Sequence, residues 1–261
     1  MSNFINSQII SVQKENDQVS SFLIHPVPDG FSLRKPGQYL LLKLSLANVW
    51  SQAHPFTLTS SPDEDNLKIT VKKIGDFTTA LHAISPPFDV QISGPLGDYG
   101  ATINTEKKLV FIAGGIGITP FISLLKALNA KKANPQITLF WANNKAEEYF
   151  DLDFLNELAA QNHIKVILMT LEEDGAKGRG YANIIWKQGH LTADLFGTFI
   201  EDRTAKFYMC GSENMQKYVF SQLKELGITP ETVETEKIGI YMKNSPEPVS
   251  MSLNALPGKK Q

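Results

Sequence analysis

Three glycines in four residues, Gly114-Gly115-Ile116-Gly117, close an apolar run and precede Ile118-Thr119-Pro120. Glycine carries no side chain, so such a backbone can come close to an anion. A helix starting there would add free N–H groups and a partial positive charge at its N-terminus. The chemistry this suits is diphosphate binding. A tight turn between strand and helix is the plainer use of such glycines, and the flanking residues weigh for the phosphate. Residues 109–113 are unbroken and apolar, as in a strand buried on both faces of a parallel sheet. Thr119 is placed to cap the helix through its hydroxyl, with Pro120 at the first helical position. Phe121, Leu124, Leu125 and Leu128 then give that helix one apolar face.

Three other stretches carry chemistry. His54-Pro55-Phe56-Thr57-Leu58-Thr59 gathers an imidazole, a benzene ring and hydroxyls in one strand length. Alternation puts His54, Phe56 and Leu58 on one face and Thr57 and Thr59 on the other. The ring could cover a planar ligand and a hydroxyl could bond its heteroatom; an ordinary strand with Phe56 in the core is the alternative. Gly75-Asp76-Phe77-Thr78-Thr79 is either a second anion nest or a plain capped turn. Cys210-Gly211 holds the only cysteine, either a small buried hydrophobe or a thiol in contact with a ligand.

The elements that must position these residues fall into two patterns. A chain of 261 residues fits one large domain or two ordinary ones. Residues 1–104 read as all-β. Strands are expected at 9–13, 19–25, 39–46, 55–60, 67–73 and 89–93, with a short helix at 77–84, and they suggest a small antiparallel barrel. From residue 105 to 241 strands alternate with helices. Strands are expected at 137–141, 164–170, 207–209 and 232–236, with helices at 146–161, at 191–200 and after Ser212, a good cap. That alternation predicts a parallel sheet with helices on both faces, and Gly114, Asn143, Thr170 and Cys210 should gather at its C-terminal edge. Residues 242–261 form a polar tail rich in Pro, Ser, Asn and Lys.

Composition narrows the function. A net charge of -2 argues against bulk nucleic-acid binding, and no apolar run is long enough to span a bilayer. The first eight residues lack the features of a signal peptide. One cysteine excludes an internal disulfide and a cysteine-ligated iron–sulfur cluster within this chain. No metal site is expected, and the cytoplasm is the expected location.

In chain order, Lys35-Pro36-Gly37-Gln38, His54-Pro55-Phe56-Thr57, Gly75-Asp76-Phe77-Thr78, Gly94-Pro95-Leu96-Gly97, the Gly114–Pro120 stretch and Cys210-Gly211 resemble the ferredoxin–NADP reductase superfamily over residues 5–240. The His-Pro-Phe-Thr form is similar to the branch holding ferric reductases and NADPH oxidases. The resemblance implies an FAD-binding antiparallel β-barrel at 1–104 and a Rossmann-like α/β domain for NADH or NADPH at 105–241. Hydride would pass from the nicotinamide to the flavin, and electrons then to a small-molecule or protein acceptor. By the same resemblance Phe56 covers the isoalloxazine and Thr57 bonds near flavin N5. His54, Pro55 and Val71 belong to the flavin site, and Gly75, Phe77 and Thr78 hold its diphosphate. Gly114, Gly115, Gly117, Thr119, Pro120 and Asn143 bind the nicotinamide nucleotide. Cys210 lies beside the nicotinamide with Gly211 and Met215 near it, and Glu236 polarises the rings or relays a proton; its alternative is an exposed strand-end carboxylate.

The chain departs from that pattern in two places. Many members carry Arg where this chain has His54, so a permanent cation gives way to a ring that is often neutral at pH 7. Ile238 stands where relatives often place an aromatic over the flavin, and the 242–261 tail is a candidate cover. Asn143, Asn144 and Lys145, with no Arg, tilt the choice towards NADH, although Lys177 and Arg179 could reach a 2′-phosphate. Two rival readings stay open: an electron-transfer subunit that acts only on a docked redox partner, and a nucleotide-binding module without catalysis.

Overall fold

The computed structural model describes residues 3–47, 49–132, 134–161, 163–172 and 180–236. Its described residues fall into two compact units that divide between Asp98 and Tyr99.

The first unit is a seven-stranded antiparallel sheet. Its strands are β1 (Ile5–Lys14), β2 (Val19–His25), β3 (Tyr39–Leu46), β4 (Val49–Trp50), β5 (His54–Thr57), β6 (Leu67–Lys72) and, after the short helix α1 (Asp76–His82), β7 (Phe88–Leu96). They run in the order β4-β3-β7-β1-β2-β6, with β5 also on β3. Past Thr57 the chain leaves β3. Leu58 bridges to Ile69, and the Thr59 N–H donates to the Lys68 carbonyl at 2.8 Å, so the sheet curls until its ends meet. The strand expected over 55–60 is therefore split between two partners. Alternate residues Leu40, Leu42 and Leu44 of β3, Ile69 and Val71 of β6, and Val90 and Ile92 of β7 point inward to one core.

The second unit is a parallel sheet of six strands. In chain order it comprises β8 (Lys108–Gly114), α2 (Thr119–Ala130), β9 (Gln136–Asn143), α3 (Leu152–Ala159), β10 (Ile164–Thr170), β11 (Ile185–Gln188), α4 (Ala193–Phe199), β12 (Lys206–Cys210), α5 (Glu213–Glu225) and β13 (Val233–Thr235). The spatial order is β11-β10-β9-β8-β12-β13. One face, carrying Val110, Ile112, Phe140, Phe207 and Met209, packs under α4 and α5. Residues of opposite parity face α2, as where Phe111 stacks on Phe121 at 4.8 Å. The order reverses between β8 and β12, and ligands bind at such a switch point, outside the C-terminal strand ends.

One expectation needs correction here. The helix expected over 146–161 is interrupted. A single turn at Ala146–Glu148 is followed by extended residues, Asp151 takes φ 53°, and α3 starts only at Leu152. The cause is tertiary: Tyr149 and Phe150 turn inward and meet Trp141 edge-on at 4.8 and 5.2 Å. By compactness the second unit begins at Tyr99, whose ring packs on Phe121 and Tyr208. Lys177, Arg179, Lys237, Ile238 and the 242–261 tail lie outside the described residues. Among the described residues no helix is long and apolar enough to cross a membrane.

Candidate functional site

The C-terminal edge of the parallel sheet collects the residues expected there. Thr170 pairs in register with Asn143, Gly114 with Ala142, and Cys210 with Ala113. The glycine turn, Gly115–Ile118, is a single 3-10 turn that runs straight into α2. Gly115 sits at φ +57°, a backbone conformation that side chains disfavour. Gly117 serves a different need: a Cβ there would lie 2.4 Å from the Cys210 carbonyl oxygen, so the turn packs directly on the end of β12. Thr119 is not the cap. It is already helical, at φ −56° and ψ −44°, and its hydroxyl donates back to the Ile116 carbonyl at 3.1 Å. The glycine turn has taken over the start of the helix. The orphan N–H groups are consequently those of the glycines themselves.

Asn143 adds a side chain to this cradle. It is buried, its Oδ1 faces Gly115, and its Nδ2 has no hydrogen-bond partner among the described residues. A buried amide donor without a partner is costly. Beside a turn of free N–H groups, such a donor suits a diphosphate oxygen. The nucleotide expected from the sequence therefore fits the residues present.

At the head of β12 the Cys210 thiol donates to Glu236 Oε2 at 2.8 Å. Cys210 is buried, and that burial, with Glu236 beside it, pushes the thiol well above its ordinary pKa. Such a shift keeps the thiol in its neutral form. Ser212 caps α5 by accepting the Met215 N–H at 3.3 Å, and Met215 Sδ lies against Gly114 and Gly211. Pro120 is buried in the first turn of α2.

In the first unit His54, Pro55, Phe56 and Thr57 lie on β5, half-buried except for the buried Thr57. His54 stacks on Phe77 with centroids 4.0 Å apart, and Phe56 lies over the same ring at 5.8 Å. Burial lowers the His54 pKa, which favours a neutral ring. Phe77 and Val71 are buried in the barrel core. The Thr78 hydroxyl is used by its own turn: it accepts the N–H groups of Ile74 and Gly75 and donates to the Gly75 carbonyl. A side chain at Gly75 would face open space, where α1 begins.

Several supporting residues carried no signal in the sequence. The Trp141 indole donates to the Gly115 carbonyl at 2.8 Å. The Tyr149 hydroxyl reaches the Trp141 and Met169 carbonyls, and Gln216 Nε2 donates to the Gly211 carbonyl at 2.8 Å. These brace the turn and the strand ends through contacts distant in sequence, which local periodicity does not encode.

A family model described as an FAD-binding domain matches residues 6–114, and one described as an oxidoreductase NAD-binding domain matches residues 111–220. The flavohemoprotein of Bacillus subtilis is 27% identical over 238 residues, covering 88% of this chain and 58% of its own length. Flavohemoprotein A of Dictyostelium discoideum is 28% identical over 245 residues, covering 87% and 58%. The chain thus spans less than two thirds of the length of these curated relatives. Among solved structures, the flavohemoglobin of Malassezia yamatoensis with bound FAD and heme superposes at a TM-score of 0.76 and 22% identity, covering 90% of this chain and 60% of that one. A ferredoxin NADP+ reductase from Neisseria gonorrhoeae with bound FAD and NADP superposes at 0.72 and 19%, covering 90% and 99%. With both family models matched in sequence along a barrel and a parallel sheet of this topology, the chain belongs to the ferredoxin–NADP reductase superfamily, an FAD-binding domain followed by a NAD-binding domain.

Proposed function

We propose that this chain is an NAD(P)H-dependent flavin oxidoreductase that takes a hydride from reduced nicotinamide nucleotide and passes electrons to an acceptor. The observation that carries the reading is the Cys210–Glu236 hydrogen bond at the sheet's switch point, next to the glycine turn. Bound FAD supplies the hydride acceptor and an outlet for electrons singly or in pairs. The protein's residues bind, orient and hold protons. His54, Pro55, Phe56, Thr57 and Val71 hold the flavin, with Gly75, Phe77 and Thr78 at its diphosphate. The N–H groups of the Gly114–Gly117 turn and the Asn143 amide bind the nucleotide diphosphate. The Cys210 thiol, kept protonated by burial and by Glu236, offers a soft neutral surface to the nicotinamide. Thr57 holds a hydroxyl for flavin N5. The domain boundary of this reading lies at Tyr99, ahead of the residue 105 that composition suggests.

NADH is the preferred donor in this proposal. Lys145, the cation just past the end of β9, pairs with Glu172 at 3.5 Å, and that carboxylate disfavours a 2′-phosphate. The cytoplasm, where reduced nicotinamide nucleotides are generated, is the location the reading carries. A haem protein is the acceptor it favours, because the relatives named flavohemoproteins extend well beyond the part this chain matches.

An anaerobic visible spectrum of the purified protein tests the proposal. A flavin spectrum bleached faster by NADH than by NADPH is expected, and reoxidation by a ferric haem protein would support the acceptor. A colourless preparation that takes up no FAD and oxidises neither nucleotide would overturn the proposal in favour of a non-catalytic binding module.

A further inference from the structure

Strand alternation sets Tyr208 and Cys210 of β12 and Glu234 of β13, with Glu236 just beyond it, on one face of the sheet; Phe207, Met209 and Val233 belong to the core on the other. Tyr99 and Gly100 lie across that first face. The Gly100 N–H donates to Glu234 Oε1 at 2.9 Å. The Tyr99 ring meets Tyr208 edge-on, centroids 5.8 Å apart at 88°, and packs on Phe121 from α2 at 6.1 Å. Tyr99 is thereby caged and only 7% exposed. Its hydroxyl has no hydrogen-bond partner among the described residues.

The titratable groups whose charge bears on that hydroxyl are Cys210, Glu236, Glu234 and Tyr208. Lys206 on the same strand is engaged with Glu234 at 3.8 Å. Burial first, then these neighbours, holds the phenol well above its ordinary pKa, so the group is an O–H donor. A phenylalanine would fill the same cage without an unsatisfied buried hydroxyl. The polar atom therefore needs a task in a second state of the site. In free enzymes such bonds are often long and tighten only in the complex. Glu236 Oε2 meanwhile accepts from the Cys210 thiol.

We propose that Tyr99 is a positioning residue for Glu236: when nucleotide binds, its hydroxyl closes onto the carboxylate and keeps it ionised as the Cys210 thiol turns to the nicotinamide ring. The inference rests on the oxidoreductase reading above.

The single cysteine makes the S–H infrared stretch an assignable probe of the Cys210–Glu236 bond. In the FAD-loaded full chain, loss of that hydrogen-bonded band on adding NAD+ reports the turn of the thiol, and the carboxylic-acid C=O band that is missing from Glu236→Gln gives the pH midpoint for protonation of Glu236. Tyr99→Phe should raise that midpoint by about one unit, the size of one hydrogen bond to a carboxylate. FAD content should not change. Under anaerobic conditions the acid limb of flavin reduction by NADH should move up by the same amount. In a Glu236→Gln background, Tyr99→Phe should add nothing further, which separates positioning from packing. Unchanged midpoint and limb in Tyr99→Phe, or an equal loss in the Glu236→Gln background, would overturn the inference. If the unsubstituted protein is reduced by neither nucleotide, the oxidoreductase reading fails on its own, and the infrared midpoint still decides the part played by Tyr99.

Discussion

Gly117→Ala is the sharpest probe of the nucleotide cradle. The new methyl would sit 2.4 Å from the Cys210 carbonyl oxygen, 2.7 Å from its carbon and 2.9 Å from the Gly211 nitrogen. All three atoms are backbone, so no flexible side chain can swing aside. Ordinary contact needs about 3.5 Å, so the turn must back away from β12 by roughly 1 Å. Overpacking of this kind costs about 1–3 kcal/mol. For a unit of this size that lowers Tm by about 3–9 °C. The same displacement carries the turn's N–H groups off the diphosphate, and a loss of about tenfold in nucleotide affinity, ~1.4 kcal/mol, is expected. Calorimetry of the FAD-loaded protein and titration with NAD+ measure the two effects. Gly75→Ala is the control. Its Cβ meets nothing within 4 Å and its φ is −139°, so the FAD-free fold should keep its Tm while FAD binding weakens. Wild-type melting and wild-type NAD+ affinity in Gly117→Ala would refute the close approach on which this reasoning stands.

Tyr149→Phe removes a buried hydroxyl that reaches the Trp141 and Met169 carbonyls; a loss of about 1 kcal/mol and faster amide exchange in β9 and β10 should follow. Ser212→Ala deletes the α5 cap and should cost about 1 kcal/mol, read as a lower denaturation midpoint with unchanged slope. His54 and His82 are both held below the ordinary imidazole pKa, chiefly by burial. Below about pH 6.5 the unfolded chain therefore binds more protons than the folded one, and stability falls as pH drops from there towards the depressed values. Replacing both by Gln should flatten the decline in Tm between pH 7 and about pH 5.5; an unchanged slope would remove these two rings from the account.

What the sequence made legible was local. The unit formed by strand, glycine turn and helix at 108–130 depends on neighbours a few residues apart, and its apolar run and helical spacing are visible without a structure. The misreadings are also local in origin. Thr119 has the chemistry of a cap, but the 3-10 turn ahead of it had already begun the helix. Residues 146–161 have helical spacing, but three aromatic rings packing together broke the helix at Asp151. Barrel closure through Leu58 and Ile69, and the return of β12 beside β8, join segments far apart in sequence that no window of spacing contains.

The two glycines of the turn illustrate the limit most clearly. From the sequence both serve an anion. In the fold Gly115 carries the conformational demand, with φ +57°, while Gly117 is needed because its Cα passes so close to the Cys210 carbonyl. That contact ties the diphosphate cradle to the strand end that holds the thiol–carboxylate pair. Cys210, and through its thiol Glu236, is thus positioned by the same turn to which the proposal gives the diphosphate. Binding energy gained at the diphosphate can then be spent on orientation at the ring, which is where hydride transfer is sensitive to displacements of about 1 Å. A variant that loosens the turn should therefore lower the rate of flavin reduction at saturating nucleotide as well as the affinity, and Gly117→Ala is the place where both would be seen to fall together.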